Sequence, residues 1–457
     1  MPQLFRSSLK CLGIFLCTAL LVQFGSSCSK SSPIYIGDDT TTNPPKDTTT
    51  TPPKDTTTTP PKDTTVKGRS FAVGTGSGNL IIDGSNFVVS GSKIDFKNGD
   101  TVKIKGGSYN SIAIKNVSVP ATGARVIFIN NGQVVFNGGK QLTLSDLNNV
   151  TVSGAGESAT ARGFTFINSN YRAITLSGAI NNFTIQNMLF QNVQDYVICY
   201  PDLNSKLYNG AANSHSSNLA FLNLDAYNVG PFIVLGGDIT NNGFTGLVKK
   251  LEVANILCTN SPTPGAIVSI GDVEDFLIHD NRVDNVNSAN DTHNGIFFVR
   301  GNGKFYNNVI TNHQGNALRL WQYSLNDNIK TIEIYNNIVY NSRKYSGFEI
   351  QVPPYIKAIA HFRPAKAKVY NNTVGKMNTD KMTFPGRLLD FYNTYSTLEL
   401  YNNLVFNNND AVIVNDMSSS GYLRNDNNIY VSREPDAVED LISFKSKISG
   451  TGATKVQ

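Results

Sequence analysis

Apolar and polar residues alternate with a period of two along most of the chain from about residue 69 onward. Gly, Pro and Asn interrupt the alternation repeatedly, and no stripe with the 3.6-residue period of a helix persists. The pattern therefore predicts short β-strands joined by tight turns.

A five-residue motif recurs within this region. It consists of an apolar residue, a polar or aromatic residue, two Asn-like residues and another strand residue. The clearest copies are 305–309 (FYNNV), 334–338 (IYNNI), 369–373 (VYNNT) and 400–404 (LYNNL), and weaker copies begin at Ile185, Ile278 and Leu423. From Ile278 to Leu423 the copies begin 27, 29, 35, 31 and 23 residues apart. This spacing is typical of repeat proteins, and loop insertions on one side would explain its variation.

The paired Asn positions predict how one coil follows another. Asn tolerates the left-handed backbone conformation that a sharp bend requires. In stacked parallel coils its side-chain amide could also bond to the Asn of the next coil, about 4.8 Å away. Stacking would place aliphatic residues inside and Asn at the bends.

On these residues, the region of about 75–432 resembles the right-handed parallel β-helix of the pectate-lyase-like superfamily. The resemblance implies an all-β solenoid that winds as a single-stranded right-handed parallel β-helix. It leaves the activity open, because many unrelated activities use this scaffold.

Alternative folds fit less well. Leucine-rich repeats require a Leu-x-x-Leu-x-Leu signature in every repeat, and this signature does not recur along the chain. A propeller requires units of about 40–50 residues. A β-sandwich would not give the Asn-Asn register. The Gly-His-Gly motif of polygalacturonase-like hydrolases and the Arg-x-Pro-x-x-Arg run of pectate lyases are also absent.

The first residues have the features of an export signal. Arg6 and Lys10 precede an apolar run that is too short to span a membrane comfortably, and the run ends at Gly25-Ser26-Ser27-Cys28. Small residues before Cys28 resemble the lipobox of bacterial lipoproteins, although Gly25 stands where that motif usually has Leu. The resemblance implies a signal peptide at 1–27, lipidation of Cys28, and a secreted protein anchored by lipid at the outer membrane or cell surface. An ordinary signal peptide cleaved near the same place is the alternative.

Residues 28–68 predict a stalk. The sequence Pro-Pro-Lys-Asp recurs there with a period of eight, separated by threonines, and offers no apolar face to bury. The Asp-Thr-Thr triplets resemble O-glycosylation sites of bacterial surface proteins, and a plain spacer is an equal interpretation. The β-helix is then predicted for 69–432, with a C-terminal cap or tail at 433–457.

Charge and cysteine content narrow the function classes. The net charge of +5 over 457 residues is small, and no basic stripe stands out, so nucleic acid is not a predicted partner. Cys199 and Cys258 both lie in apolar strand patterns, which favours two buried thiols over a disulfide. His279, His293, His313 and His361 show no metal-ligand spacing and are interpreted as surface or loop residues.

Strand segments that follow the Asn motifs align into columns. In each four-residue segment the third residue is predicted to face outward, and the second and fourth inward. The predicted outward column is Ile198, Ile233, Val268, Phe297, Arg319, Glu349, Asp390 and Ile413. A second outward column two residues later contains Val299, Trp321, Gln351, Tyr392 and Asn415. We expect loops 201–217 and 236–246 to cover the apolar early members.

The later coils carry the candidate chemistry. Arg319, Glu349 and Asp390 would lie about 5 Å apart on consecutive turns and are the candidate catalytic residues. Beside them, Trp321, Gln351 and Tyr392 are the candidate substrate-binding residues; relatives of this fold bind polysaccharide on such charged, aromatic patches.

Several interpretations of this patch remain open. The two carboxylates could act as acid and nucleophile in retaining hydrolysis, or they could hold Ca²⁺, although no cofactor is required. In a lyase, Arg319, Lys357 or His361 could take the proton beside a uronate carboxylate. An Arg–Glu–Asp ladder is also a plain cross-strand salt-bridge network. The sequence therefore favours a surface β-helix that binds or processes polysaccharide, as a lyase or glycosidase, with a non-catalytic glycan-binding, adhesion or structural role as the alternative.

Overall fold

The structure is a computed structural model that describes residues 68–156, 161–240, 243–352, 362–392, 395–408, 414–415, 421–431, 447–448 and 450–454. The chain divides after Pro61 into two units, and every described residue belongs to the second. The predicted signal peptide, Cys28, most of the stalk, Lys357, His361, Ile413 and most of the predicted C-terminal cap lie outside these ranges.

Short and long strands account for the N-terminal part of the described chain. The strands are β1 (Ser70–Val73), β2 (Ser77–Asp83), β3 (Val88–Val89), β4 (Ser92–Lys93), β5 (Thr101–Ser118), β6 (Val126–Asn137), β7 (Gln141–Ser153), β8 (Phe164–Ser169) and β9 (Ile174–Val193). A 3₁₀ turn at Gly84–Asn86 follows β2.

The middle of the chain adds shorter strands and two further 3₁₀ turns, Pro201–Ser205 and Ala212–Ser214. The strands are β10 (Ile198–Tyr200), β11 (Ser216–Tyr227), β12 (Ile233–Leu235), β13 (Asp238–Thr240), β14 (Gly243–Thr245), β15 (Leu247–Ala254), β16 (Leu257–Ser261), β17 (Val268–His279), β18 (Arg282–Val286), β19 (Gly295–Tyr306), β20 (Val309–His313), β21 (Asn316–Gln322) and β22 (Ser324–Leu325).

The last part continues in the same way. The strands are β23 (Thr331–Tyr335), β24 (Ile338–Ser342), β25 (Phe348–Gln351), β26 (Phe362–Arg363), β27 (Lys366–Tyr370), β28 (Thr373–Gly375), β29 (Leu389–Tyr392), β30 (Thr397–Tyr401), β31 (Leu404–Phe406), β32 (Val414–Asn415), β33 (Gly421–Asp426), β34 (Ile429–Val431), β35 (Lys447–Ile448) and β36 (Thr451–Gly452). No α-helix occurs in the described part of the chain, and none of its helical turns is long and apolar enough to cross a membrane.

Three parallel ladders run along the second half of the molecule. One ladder contains β10, β12, β17, β19, β21, β25, β29 and β32 in that order. The second runs through β15, β17, β19, β23, β27, β30 and β33, and the third through β16, β18, β20, β24, β28, β31 and β34. Each turn of chain thus pairs with the turn before it, which confirms the prediction of an all-β chain with a many-stranded parallel sheet.

Inward-facing side chains of the stacked turns form one apolar core. Phe136, Phe166 and Phe190 stack on successive turns with ring centroids 4.6 and 5.0 Å apart. At the N-terminal end Phe87 contacts Phe71 edge-on and stacks on Phe96, so aromatic rings close that end of the core. Cys199 and Cys258 are buried free thiols, as the apolar pattern predicted.

The Asn motif builds a hydrogen-bonded ladder through the interior of one bend. The side-chain amides of Asn281, Asn308, Asn337, Asn372 and Asn403 each donate to the side-chain oxygen of the next Asn, ending at Asn428, over 2.9–3.0 Å. The residue before each of the later five has a positive φ, from 49° to 56°. Both roles that the sequence predicted for the Asn pair are therefore confirmed: one residue makes the bend, and the other joins the turns.

Candidate functional site

The predicted patch of polar residues lies in register on the first ladder. Arg319 on β21 pairs with Glu349 on β25, which pairs with Asp390 on β29. Trp321, Gln351 and Tyr392 form the neighbouring outward column in the same register. The sequence therefore predicted the alignment of all six site residues.

The earlier part of the predicted column is wrong by one residue. Phe298, and not Phe297, pairs with Arg319, and the column continues back through Ser269, Val234 and Cys199. The predicted outward residues Ile198, Ile233, Val268 and Phe297 are fully buried in the core. In these strands both the inward-facing and the outward-facing positions carry apolar residues. The alternation alone therefore did not determine which residues face the core.

The second column and its end also need correction. Val299 pairs with Leu320 and faces the core, and Arg300 is the residue that pairs with Trp321. Asn415, which was predicted beside Tyr392, pairs with Asp390. The segment 236–246, predicted as a covering loop, contains the antiparallel hairpin β13–β14.

Glu349 is the centre of the candidate site. Its side chain is 1% exposed although it lies on the outer face of the sheet. Nε of Arg319 donates to Oε1 at 2.8 Å, and Nε2 of Gln351 donates to the same oxygen at 2.6 Å. Nε2 of His293 lies 2.8 Å from Oε2. Each carboxylate oxygen of Glu349 therefore has a cationic or hydrogen-bond-donating neighbour.

His293 is the site residue that sequence reasoning missed. It is an exposed loop residue, as interpreted, but its imidazole also contacts Glu349 and stacks on Tyr345 with centroids 4.1 Å apart. Phe384 extends this aromatic group, 4.7 Å from Tyr345. All three residues lie outside the ladder strands, so no periodicity could have aligned them with Glu349.

Asp390 has the opposite electrostatic environment to Glu349. Burial raises the pKa of Asp390 to about 7, and the nearby charge of Glu349 adds to this, while a hydrogen bond with Ser346 and the charge of Arg387 act against it. Burial also opposes ionisation of Glu349, but the hydrogen bond and charge of His293 and the pairing with Arg319 outweigh it and lower its pKa. Adjacent strands thus carry one carboxylate held ionised and one carboxyl group that can hold a proton near neutral pH.

A surface depression of about 520 Å³ is lined in part by Arg387, whose charge acts on Asp390. Its lining is Asn378, Lys381, Met382, Thr383, Phe384, Pro385, Gly386 and Arg387. Phe384 links the depression to the aromatic group around His293, and Arg387 is close enough for its charge to act on Asp390.

Trp321 is more enclosed than the sequence predicted for a ligand-facing residue. The indole is half-buried against a small apolar cluster outside the main core that includes Phe244, Tyr323 and Phe362. Phe298 meets its ring edge-on at 5.4 Å, and the guanidinium of Arg300 lies 5.9 Å from its ring. The structure thus supplies Trp321 with protein neighbours that account for its position on the sheet.

A second buried polar group lies behind this cluster. Tyr323 donates through its hydroxyl to Oδ1 of Asp272 at 2.7 Å, and burial raises the pKa of Asp272 to about 7. Arg300 donates to the carbonyl oxygens of Gly237 and Gly271 and pairs with Asp238 at 2.9 Å. These contacts fasten the hairpin β13–β14 to the sheet, which is a structural role.

Two other histidines, unlike His293, differ from the predicted surface positions. His313 is 1% exposed, and burial lowers its pKa to about 4. His279 lies between Glu252 and Asp280; burial opposes its charged form, but hydrogen bonds to both carboxylates prevail and raise its pKa to about 9. Neither contacts Glu349 or Asp390.

Within the described ranges, metal ligands are not assembled around the carboxyl pair. No group of three or more His, Cys, Asp or Glu side chains suited to a metal ion occurs within the described ranges. Calcium prefers six to eight oxygen ligands, and Glu349 already has Arg319 and His293 against its oxygens. Protein groups thus already contact both oxygens of Glu349.

Comparisons with known proteins leave the family undetermined. No protein-family model and no curated protein matches the sequence. Among solved structures, the chain is similar to the catalytic domain of a GH87 alpha-1,3-glucanase in complex with tetrasaccharides, at 14% identity and a TM-score of 0.21. The match covers 78% of this chain and 64% of the glucanase chain, so this chain spans less than two thirds of that structure.

Proposed function

We propose that this chain is a right-handed parallel β-helix that binds and cleaves polysaccharide on the face formed by β21, β25 and β29. The observation that carries the proposal is the carboxyl pair: Glu349 has a lowered pKa and Asp390 a pKa raised to about 7, on directly paired residues. Environments that push two carboxyl pKa values apart are how glycosidases assign an acid and a carboxylate role.

The paired strands also suit one stereochemical course. Neighbouring strands lie about 4.8 Å apart, close to the roughly 5–5.5 Å between the carboxyl groups of retaining glycosidases. Asp390 would protonate the glycosidic oxygen as its bond to the sugar carbon breaks, and Glu349 would form the bond to that carbon. A water molecule would then release the sugar, giving a proton to Asp390.

Oε2 is the oxygen of Glu349 suited to this attack. Oε1 accepts from both Arg319 and Gln351, whereas Oε2 has only the His293 contact among the described residues. The His293 side chain is 36% exposed, so it can move towards solvent and uncover Oε2. In this proposal Arg319 and Gln351 orient the carboxylate, and His293 controls access to it.

A non-catalytic glycan-binding role is the second candidate. The observation that favours it is the completeness of the Arg319–Glu349–His293 contacts, since a carboxylate so enclosed is also a stable structural ion pair. Under this alternative the same face would bind polysaccharide without cleaving it.

One experiment separates the two candidates. The chain from residue 69 onward is incubated with neutral and uronic-acid polysaccharides, and new reducing ends and the absorbance of unsaturated ends are followed. We expect new reducing ends without unsaturated ends. The Asp390→Asn and Glu349→Gln variants should form no product. Binding without product on every substrate would establish the non-catalytic role, and unsaturated ends would indicate a lyase instead.

We also propose that the protein is exported and held by a lipid on Cys28, with residues 28–68 as a spacer to the body. The support is the sequence alone: an apolar run ending in small residues before Cys28, and then the Pro-Pro-Lys-Asp repeats. In cells that express the full chain, radiolabelled fatty acid should become attached to the protein. The Cys28→Ser variant should carry no label. Equal labelling of both would contradict the anchor.

A further inference from the structure

The depression that includes Arg387 has an asymmetric charge. Its eight lining residues include two cations, Lys381 and Arg387, and no carboxylate. Arg343 pairs with Asp291 and Asp380, and Lys344 pairs with Asp291. Lys381 is exposed and has no ion-pair partner within the described ranges. The charge of Lys381 is therefore available to a ligand.

An aromatic side chain complements these cations. Phe384 lines the depression and is 44% exposed, although it contacts Tyr345 at 4.7 Å. Exposure of a large aromatic ring costs hydrophobic free energy, which burial by a ligand would recover. A flat apolar ring next to two cations suits a sugar ring that carries an anionic group.

The place of Arg387 connects the depression to the proposed chemistry. Arg387 lines the depression, and its charge also acts on Asp390. The amide of Arg387 donates to Oγ of Ser346 at 3.1 Å, and the same hydroxyl donates to the carbonyl of Pro385 at 3.2 Å. The segment that carries Phe384 and Arg387 is thus tied to the loop before β25, so the depression and the carboxyl pair keep a defined spacing.

We infer that residues 381–387 form a subsite for an anionic sugar unit of the polysaccharide, adjacent to the Glu349–Asp390 pair. This inference rests on the proposed function for its polysaccharide, and it adds the chemical class of the sugar. Lys381 and Arg387 would bind the carboxylate of a uronate or the sulfate of a sulfated sugar, while the ring would lie against Phe384. The volume of about 520 Å³ lies within the range of small-ligand sites, roughly 300–1,000 Å³.

The test uses the chain from residue 69 onward and its Lys381→Gln and Phe384→Ala variants. Lys368→Gln is the matched control, because Lys368 lies on a different ladder, where it pairs with Glu399 at 3.1 Å. Affinity is measured by calorimetry for polygalacturonate and alginate as uronates, dextran sulfate as a sulfated glycan, and dextran as a neutral one. Thermal unfolding verifies that each variant is folded.

We expect one or both anionic classes to bind more tightly than dextran. Phe384→Ala should weaken that binding about tenfold, and Lys381→Gln about fivefold at low salt, with the Lys381 effect vanishing near 0.5 M NaCl because salt screens exposed charges. Lys368→Gln should bind as the unaltered chain does. Tighter binding of polygalacturonate than of dextran sulfate would identify a carboxylate as the anionic group that the subsite binds. The opposite order would identify a sulfate.

The failures of the two proposals are distinguishable. If dextran binds as tightly as the anionic glycans, or if neither variant weakens binding, the anionic subsite is wrong even where a neutral glycan is cleaved. If the anionic glycans bind and both variants weaken them without any product forming, the subsite stands and the proposed cleavage is wrong.

Discussion

Arg319 and Glu349 lie directly opposite each other on neighbouring parallel strands, with Nε and Oε1 2.8 Å apart and the Glu349 side chain 1% exposed. Removing one member of a buried ion pair leaves an uncompensated charge, whereas removing both removes that penalty as well. We therefore expect Arg319→Leu to lower the free energy of unfolding by about 3–5 kcal/mol, and Arg319→Leu/Glu349→Leu to lower it by less. Urea unfolding of the two single variants and the double variant measures the coupling.

The Lys368–Glu399 pair provides the control for this cycle. It is also a cross-strand pair on adjacent turns, at 3.1 Å, but its side chains are 37% and 26% exposed. Solvent screens such a pair, so its coupling should stay below about 1 kcal/mol. Equal coupling in the two cycles would mean that Glu349 behaves as an ordinary surface carboxylate, against the burial seen here.

Asp390 should make stability depend on pH. Its pKa in the folded chain is about 7, above the ordinary value of 3.8. Between about pH 4 and pH 7 the unfolded chain ionises this group while the folded chain keeps the proton, so the free energy of unfolding falls as pH rises, by up to about 1.4 kcal/mol per unit. Asp390→Asn keeps the neutral side chain and should remove this part of the slope.

The measurement for Asp390 is the difference between the two proteins. Asp272 also has a pKa of about 7 and contributes its own slope to both. Urea unfolding at pH 4.5 and pH 7.5 should show Asp390→Asn gaining stability relative to the unaltered chain as the pH rises. A constant difference would show that Asp390 titrates as an exposed carboxyl group does.

The same proton should govern the proposed cleavage. An acid with a pKa near 7 is fully protonated only below that pH, so kcat should fall on the alkaline side as Asp390 loses its proton. Asp390→Asn should lower kcat at least about a hundredfold and abolish that limb, because Asn has no proton to transfer. An unchanged alkaline limb in a still active Asp390→Asn variant would assign the acid to another residue.

Asn337 is the clearest test of the interior ladder. Its side-chain oxygen accepts from the backbone and side-chain amides of Asn308, and its amide donates to the carbonyl of Phe305 and to Asn372. Asn337→Ala leaves these buried groups unsatisfied, at roughly 1–3 kcal/mol each, and we expect a loss of at least about 3 kcal/mol in unfolding free energy. Thermal or urea unfolding measures it.

Asn341 offers a matched comparison nearer the surface. It donates to Asn312 at 2.7 Å and has a φ of 62°, a conformation that Gly also adopts without strain. Asn341→Gly should therefore cost less than about 1 kcal/mol. Losses of similar size for Asn341→Gly and Asn337→Ala would contradict the role given to burial.

Sequence alone predicted the main features of the second half of the molecule. The Asn motif fixed a bend and an interior bond on each turn, because Asn combines a tolerance for positive φ with an amide that can bond to its neighbours above and below. Those bends also fixed the register, so Arg319, Glu349 and Asp390 were aligned correctly. Where the strands were apolar on both faces, as at Phe297 and Phe298, the pattern did not indicate which residue faces outward. The predicted outward position was therefore wrong by one residue.

Only the tertiary structure decided the electrostatics of the site. Outward-facing residues of a strand are ordinarily solvated, yet Glu349 and Asp390 are buried. At Glu349 the loop before β19 brings in His293, which stacks on Tyr345 of the loop before β25. Burial and charge then set the pKa values of the two carboxyl groups in opposite directions. The repeat determined which residues share a column, and the loops between the strands, which follow no period, determined what those residues can do.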